Sequence, residues 1–568
     1  MQAVEQSAFE LLPDNRVRLR LVDQYLDLQQ QLSAVERFAQ RHKADDPPLA
    51  GHLYEDLIPL SRPQKGQQYA FRVDLDACTG CKACVAACHS LNGLDQGEAW
   101  RSVGLLHGGT PEAPIQQTVT AACHHCVDPA CLLGCPVRAY EKDPDTGIVR
   151  HLDDQCIGCQ YCIFTCPYEV PQFNPTKGIV RKCDMCSSRL SAGEAPACVQ
   201  ACPNQAISIE IVDQKQAIEA AQAESFLPAA PSPAITVPTT TYTTRRPLPR
   251  NLLPADFYAV RPAQPHWPLV LMLVLTQLAV GAACLELVAE RIFADFTSLS
   301  SATLSLLVLV TGIGAFAAAT FHLGRPAYAF RALLGVKTSW MSREILAFSA
   351  FSMASVVHTV THWQKGLLGA LGIGPLPDSV ARALMAVSGP LVVATGIAGL
   401  GCSVMVYAAT GRRFWNGPFT AFRFTLTSLV LGSAVLVLVL SVLRSFDPAQ
   451  ASASVVQAFA VTTVVASATK LLGELLLFLA LRRRRFDELK RAALLMKREL
   501  GPLTLSRFAC GAVGGVVLGL ALTEPLPSSL GMVVLSSAAL FLCGAGELCE
   551  RRLFFAAMTS PRMPGALR

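Results

Sequence analysis

After His266 the chain carries a series of apolar runs, each long enough as a helix to cross the ~30 Å hydrocarbon layer of a bilayer. They fall at 268–289, 302–321, 344–363, 384–408, 420–443, 454–481, 503–523 and 528–549, and they predict an all-α integral membrane bundle of eight transmembrane helices over 266–568. The chain before His266 has a different pattern. Residues 2–42 are polar, with Leu11, Leu12, Val17, Leu19, Leu21, Val22, Tyr25, Leu26 and Leu28 in an imperfect helical stripe. That reads as a helical N-terminal arm and connector over 1–68, packed on its own domain or docked to a partner. Over 69–212, short β-like runs such as Phe71–Leu75, Gly147–Val149 and Ala206–Ile209 alternate with loops, predicting an α+β domain. Residues 213–265, dense in Pro and Thr, read as a semi-extended linker unable to bury a core.

Composition agrees with the pattern, since 51% of residues are hydrophobic and 16% charged, a membrane-protein balance. The net charge of +6 belongs to topology, not to nucleic acid, because the basic residues cluster between apolar runs. Eight spans put both ends on one side. The loops and tail on that side hold twenty Lys and Arg, against four on the other. Positively charged loops stay in the cytoplasm, which predicts a multi-pass protein of the bacterial inner membrane with the α+β domain and both termini cytoplasmic. The absence of a basic start and apolar run in Met1–Glu10 agrees with that side.

The chemistry is concentrated between Cys78 and Cys202, where sixteen cysteines form four groups. These are Cys78, Cys81, Cys84 and Cys88; Cys123, Cys126, Cys131 and Cys135; Cys156, Cys159, Cys162 and Cys166; and Cys183, Cys186, Cys198 and Cys202. Closely spaced cysteines curl a loop around one cubane, and the last of each group reaches a neighbouring cluster. Structural zinc has no use for a third close cysteine followed by Cys-Pro, and a disulfide framework needs an oxidising compartment. Sixteen ligands make four [4Fe–4S] sites on a double ferredoxin-like domain. Nesting the outer groups together and the inner groups together predicts the sets Cys78, Cys81, Cys84 with Cys202; Cys183, Cys186, Cys198 with Cys88; Cys123, Cys126, Cys131 with Cys166; and Cys156, Cys159, Cys162 with Cys135.

Ionisable residues also stand in or beside the apolar runs. His322, Arg325 and Glu344 border the basic loop between the second and third runs, and they offer the donors and proton acceptor that a quinone headgroup needs. The plain alternative is a helix cap and arginines snorkelling to lipid phosphate; position on the cluster side favours the quinone. Lys470 and Glu474 share one helical face in the sixth run and Glu547 lies in the eighth, as a neutralising structural set or a proton path. Cys284, Cys402, Cys510, Cys543 and Cys549 read as small buried residues.

Residues 69–212 resemble the four-cluster iron–sulfur subunit of the dimethyl sulfoxide reductase family. Residues 266–560 resemble that family's eight-helix membrane anchor, chiefly in His322-Leu323-Gly324-Arg325-Pro326, Glu344 and Ala545-Gly546-Glu547-Leu548. The resemblance implies that the anchor oxidises menaquinol or ubiquinol and that the clusters relay electrons to a separate molybdopterin catalytic subunit. It also implies that His322 and Glu344 occupy quinol positions. Two departures stand out: the two parts are fused in one chain, and His89 follows Cys88 where the other groups have Pro. The leading expectation is thus an electron-transfer and anchor subunit without the terminal-substrate site. The alternatives are a redox-coupled proton translocator using Lys470, Glu474 and Glu547, and a passive anchor whose clusters are fed by soluble donors.

Overall fold

The computed structural model describes residues 54–370, 376–450, 452–524 and 528–558, so the arm expected over 2–42 lies outside the described residues. Among the described residues, the N-terminal half holds ten short strands: β1 (Gln67–Asp74), β2 (Ser102–Gly109), β3 (Pro114–Ala121), β4 (Tyr140–Lys142), β5 (Val149–His151), β6 (Gln172–Asn174), β7 (Ile179–Arg181), β8 (Ile207–Asp213), β9 (Thr241–Thr243) and β10 (Leu253–Pro254). They form two three-stranded sheets, β8-β1-β9 and β10-β2-β3, and the hairpins β4-β5 and β6-β7. β1 is covered on both faces and central in its sheet, pairing antiparallel to β8 with Phe71 opposite Ile209. Of the short helices between the strands, four carry cysteines: α1 (Ala83–Leu91), α2 (Ala130–Gly134), α3 (Tyr161–Thr165) and α4 (Ala197–Gln200).

The segment 213–265 departs from expectation, because it is folded onto this half and not strung between the two. β9 runs parallel to β1 with Tyr242 opposite Val73, and β10 extends the second sheet beside Leu106 and His107. Leu227 and Leu252 join a core with Val73, Leu75, Leu106 and Val119. Its threonines are β-branched and suit strands, and buried hydroxyls find partners: Thr239 donates to the His124 carbonyl at 2.8 Å. Polar composition suggested a tether; hydrogen-bonded hydroxyls let it pack.

Among the described residues, the second half has eight helices long and apolar enough to cross a membrane, Trp267–Ile292, Ser298–Phe321, Trp340–Lys365, Asp378–Ala408, Gly417–Phe446, Ala453–Arg482, Gly501–Ala521 and Ser529–Ala556. They match the eight predicted runs. Starts are set by capping: Thr297 accepts from Ser300 N, Asn416 from Phe419 N and Ser528 from Gly531 N. The first and fifth spans are the most buried, at 61% and 72% of their apolar windows, so they form the bundle's centre. They cross at glycine, where a Cβ on Gly432 would stand 2.8 Å from the Ala282 nitrogen. A π-helical turn, Gly511–Val517, interrupts the seventh span. The basic stretch before that span contains an amphipathic helix, Glu488–Lys497, that the apolar pattern did not predict; it is capped by Asp487 and buries Ala492, Ala493, Leu495 and Met496.

One apolar core runs through both halves, holding Cys131, Cys159 and Cys162 together with Val270, Leu273, Trp415 and Phe554. Backbone meets backbone across it: Arg325 N donates to Ile157 O at 3.0 Å and Gly335 N to Pro136 O at 2.7 Å. Side chains add Tyr161 Oη to Val406 O and Ser339 Oγ to Gly134 O, each 2.7 Å.

Candidate functional site

Each cysteine group bends its backbone inward through a residue in the left-handed region: Lys82, His125, Gln160 and Met185 all have φ between 40° and 64°. The thiols that result stand in fours. Cys78, Cys81, Cys84 and Cys202 line one cavity, and Cys123, Cys126, Cys131 and Cys166 line another. Cys88, Cys183, Cys186 and Cys198 lie within electrostatic reach of one another, as do Cys135, Cys156, Cys159 and Cys162. These are the four sets that the nesting of the sequence groups predicts.

The short helices link the sets in pairs. α1 carries Cys84 to one set and Cys88 to the next, and α4 does the same with Cys198 and, just past its end, Cys202. α2 and α3 link the inner two through Cys131 and Cys135, and through Cys162 and Cys166. Cys183 and Cys123 lie within electrostatic reach of each other, which joins the pairs. The thiols therefore run from the membrane side in the order third, second, fourth and first group. The two ends of that order differ most in exposure, with Cys135, Cys156, Cys159 and Cys162 all buried at one end and Cys81 exposed at the other.

Donor chemistry fits iron–sulfur centres. Every set is four thiols, and all sixteen cysteines are free of disulfides. Burial pushes the Cys88 and Cys186 thiols up to about 12, so thiolate forms at these positions only against a cationic centre. Two buried cations, which the sequence reading missed, stand beside the sets. Lys182 Nζ lies 3.6 Å from Cys123 Sγ and donates to the carbonyls of Cys183, at 2.8 Å, and Val149. Burial pulls its ammonium down, but Cys123 and Cys131 outweigh it and the net shift is upward. Arg101, held by Thr120 Oγ1 at 3.2 Å and lying over the Phe71 ring, is raised the same way by Cys198 and Cys84.

The third group rests on the membrane half. His322 Nε2 lies 3.3 Å from the Cys159 carbonyl, its ring 5.0 Å from that of His266. Glu344 is buried one turn into the third span, where Ser403 Oγ donates to its Oε1. Tyr161, next to Cys162, lies close enough for the Glu344 charge, after burial, to raise its phenol. Arg325, expected beside a quinone headgroup, donates through its guanidinium to the carbonyls of Asp153, at 2.9 Å, and Lys177, at 3.3 Å. Both acceptors belong to the cysteine domain, so Arg325 docks the halves.

Lys470, Glu474 and Glu547 do come together, within a larger buried set. Lys470 pairs with Glu547; Arg507 holds Glu474 at 2.9 Å and Glu547 at 3.0 Å; Arg423 holds Glu550 at 2.5 Å; and Arg551 pairs with Glu550. Thr427 and Gln277 complete the network through Arg551, at 2.9 and 2.7 Å. Four cations thus face three carboxylates. The arginines escaped the sequence reading because each sits near a span end, where a basic residue reads as a loop charge.

Residues 116–212 match the family model described as a 4Fe-4S dicluster domain, and residues 262–556 the one described as DMSO reductase anchor subunit (DmsC). The first match takes in the second, third and fourth cysteine groups; Cys78–Cys88 precedes it. The protein is 38% identical over 175 residues to the B subunit of anaerobic dimethyl sulfoxide reductase from Haemophilus influenzae, covering 29% of this chain and 84% of that protein. Identity to the B subunit of the same name from Escherichia coli K12 is 40% over 155 residues, or 26% of this chain and 75% of the other. The thiosulfate reductase electron transfer subunit PhsB of Salmonella typhi is 36% identical over 155 residues, 26% and 79% of the respective chains.

Proposed function

Because the chain belongs to the dimethyl sulfoxide reductase family, joining an iron–sulfur electron-transfer subunit to a DmsC-type membrane anchor, we propose that it passes electrons between the membrane quinone pool and a separate molybdopterin catalytic subunit. Four [4Fe–4S] clusters, held by the four cysteine sets, supply one-electron transfer along the domain. The observation that carries this reading is the seating of the third cysteine group on the anchor, with His322 against the Cys159 carbonyl and Glu344 within electrostatic reach of Tyr161. A menaquinol or ubiquinol bound there reacts beside the innermost set. Glu344 takes a proton from the hydroquinone and His322 orients its oxygen. The exposed Cys81 end faces the catalytic partner. The bias of basic residues puts the iron–sulfur domain on the cytoplasmic side of a bacterial inner membrane.

The test is reduction of the purified full chain by a quinol analogue, with dithionite as the reductant that bypasses the site. Glu344→Gln and His322→Ala are each expected to slow quinol-driven reduction by roughly a hundredfold or more and to leave dithionite reduction unchanged. Quinol-driven reduction at the unmodified rate in both variants would place the site elsewhere. No quinol-driven reduction in the unmodified chain would favour a passive anchor.

A further inference from the structure

A second polar cluster lies in the membrane half, away from every residue assigned above. His358 and His362 are four apart on the third span and so share a face. Glu286 of the first span meets them, and the donor atoms of all three lie within 4.8 Å of one another. At 1.5 Å per residue, His358 is about 21 Å along the helix from Glu344, and His362 stands three residues before the span ends at Lys365. The cluster therefore sits near the face opposite the cysteine domain. Glu286, Glu290 and His358 border a cavity there, under the small Gly389.

Two observations separate this cluster from an ordinary buried polar contact. Glu286 is 3% exposed, yet its Oε1 has no hydrogen-bond partner, and neither has the buried Nε2 of His362. The charge balance is also open. Where Lys470 and its neighbours set four cations against three carboxylates, Glu286 has, among the described residues, only His358 as an ion-pair partner, at 3.7 Å. Glu290 is held by Ser301 Oγ at 2.6 Å. A carboxylate as buried as Glu286 in a membrane-spanning helix needs positive charge.

We propose that Glu286, His358 and His362 form a binding site for a first-row divalent cation of the zinc type, entered from the face opposite the iron–sulfur domain. Two imidazoles four apart on a helix and one carboxylate from a neighbouring helix are the donor set such ions take. His358 is oriented for it: Nδ1 pairs with Ser388 Oγ at 2.9 Å, which leaves Nε2 toward Glu286. A tetrahedral ion with bonds of about 2.0–2.1 Å holds its ligands roughly 3.4 Å apart, so rotation of the three side chains closes the site. The ion, held by two neutral imidazoles, offsets the charge of the buried Glu286.

The test uses the full-length, cluster-loaded protein in detergent, washed with chelator and titrated with Zn²⁺. One zinc per chain is expected, and its X-ray absorption should show only nitrogen and oxygen at about 2.0–2.1 Å, without the sulfur shell near 2.3 Å that cysteine would give. His358→Ala and His362→Ala should each raise the zinc dissociation constant by at least about a hundredfold, and Ser388→Ala by roughly ten- to a hundredfold. Unchanged iron content and dithionite-reducible clusters establish that the variants are folded; if an alanine variant fails that check, His362→Asn replaces it. Failure to retain zinc, a sulfur first shell, or unaltered affinity in the folded histidine variants would overturn the proposal. Loss of proton exchange without zinc binding would make the cluster a protonation site instead. None of these readouts depends on the quinol assignment.

Discussion

Cys202 is the last cysteine of its group in the chain, yet it lines the cavity of Cys78, Cys81 and Cys84, more than a hundred residues earlier. Cys202→Ser should therefore disturb the centre of the first group, with the fourth group's own centre retained, as electron paramagnetic resonance would register. Anaerobically purified protein should carry about sixteen irons, four for each cubane; about twelve would break the scheme. The cysteines were legible because ligands of a loop-wrapped cluster keep a fixed spacing. Lys182 and Arg101 were not, since one buried cation leaves no local pattern; only the folded chain brings Lys182 to Cys123 and Arg101 to Cys84 and Cys198. Arg325 was read by its chemistry alone. The fold also gives it the carbonyls of Asp153 and Lys177 as acceptors, which no local window contains.

Spans were the most readable elements, because about twenty apolar residues in a row have few other uses. The charged positions inside them read less well: the pair Lys470 and Glu474 proved to be one edge of a network across the fifth, sixth, seventh and eighth spans. Lys470→Met removes one cation from beside Glu547 and Glu474, and breaking a buried pair costs about 3–5 kcal/mol. A lower thermal unfolding midpoint is expected, partly restored by adding Glu547→Gln; an unchanged midpoint would show that the network stores no such energy. Segment 213–265 misled for a different reason. Pro and Thr signal an extended chain, but extended chain is also what a sheet edge accepts, and β9 and β10 lie against β1 and β2. The contact between halves is as close as backbone permits. A Cβ on Gly324 would press into the Gly178 carbonyl and stand 2.9 Å from its Cα. Gly324→Ala should slow quinol-driven cluster reduction while iron content and dithionite reduction hold.

At the scale of the whole molecule, Arg423, Arg507 and Arg551 are buried in the network and leave the tally of loop charges. The bias toward one face survives their removal. A reporter fused after Arg568 should thus be active only in its cytoplasmic form, and periplasmic activity would reverse the assignment. The same layout gives the sixteen thiols unequal shelter, from the third group sealed between two halves to Cys81 open at the far tip. Oxygen and chelators reach the tip first, so air should wear this wire from its outer end. A sample aged in air would still accept electrons from the membrane long after it had lost the means to deliver them.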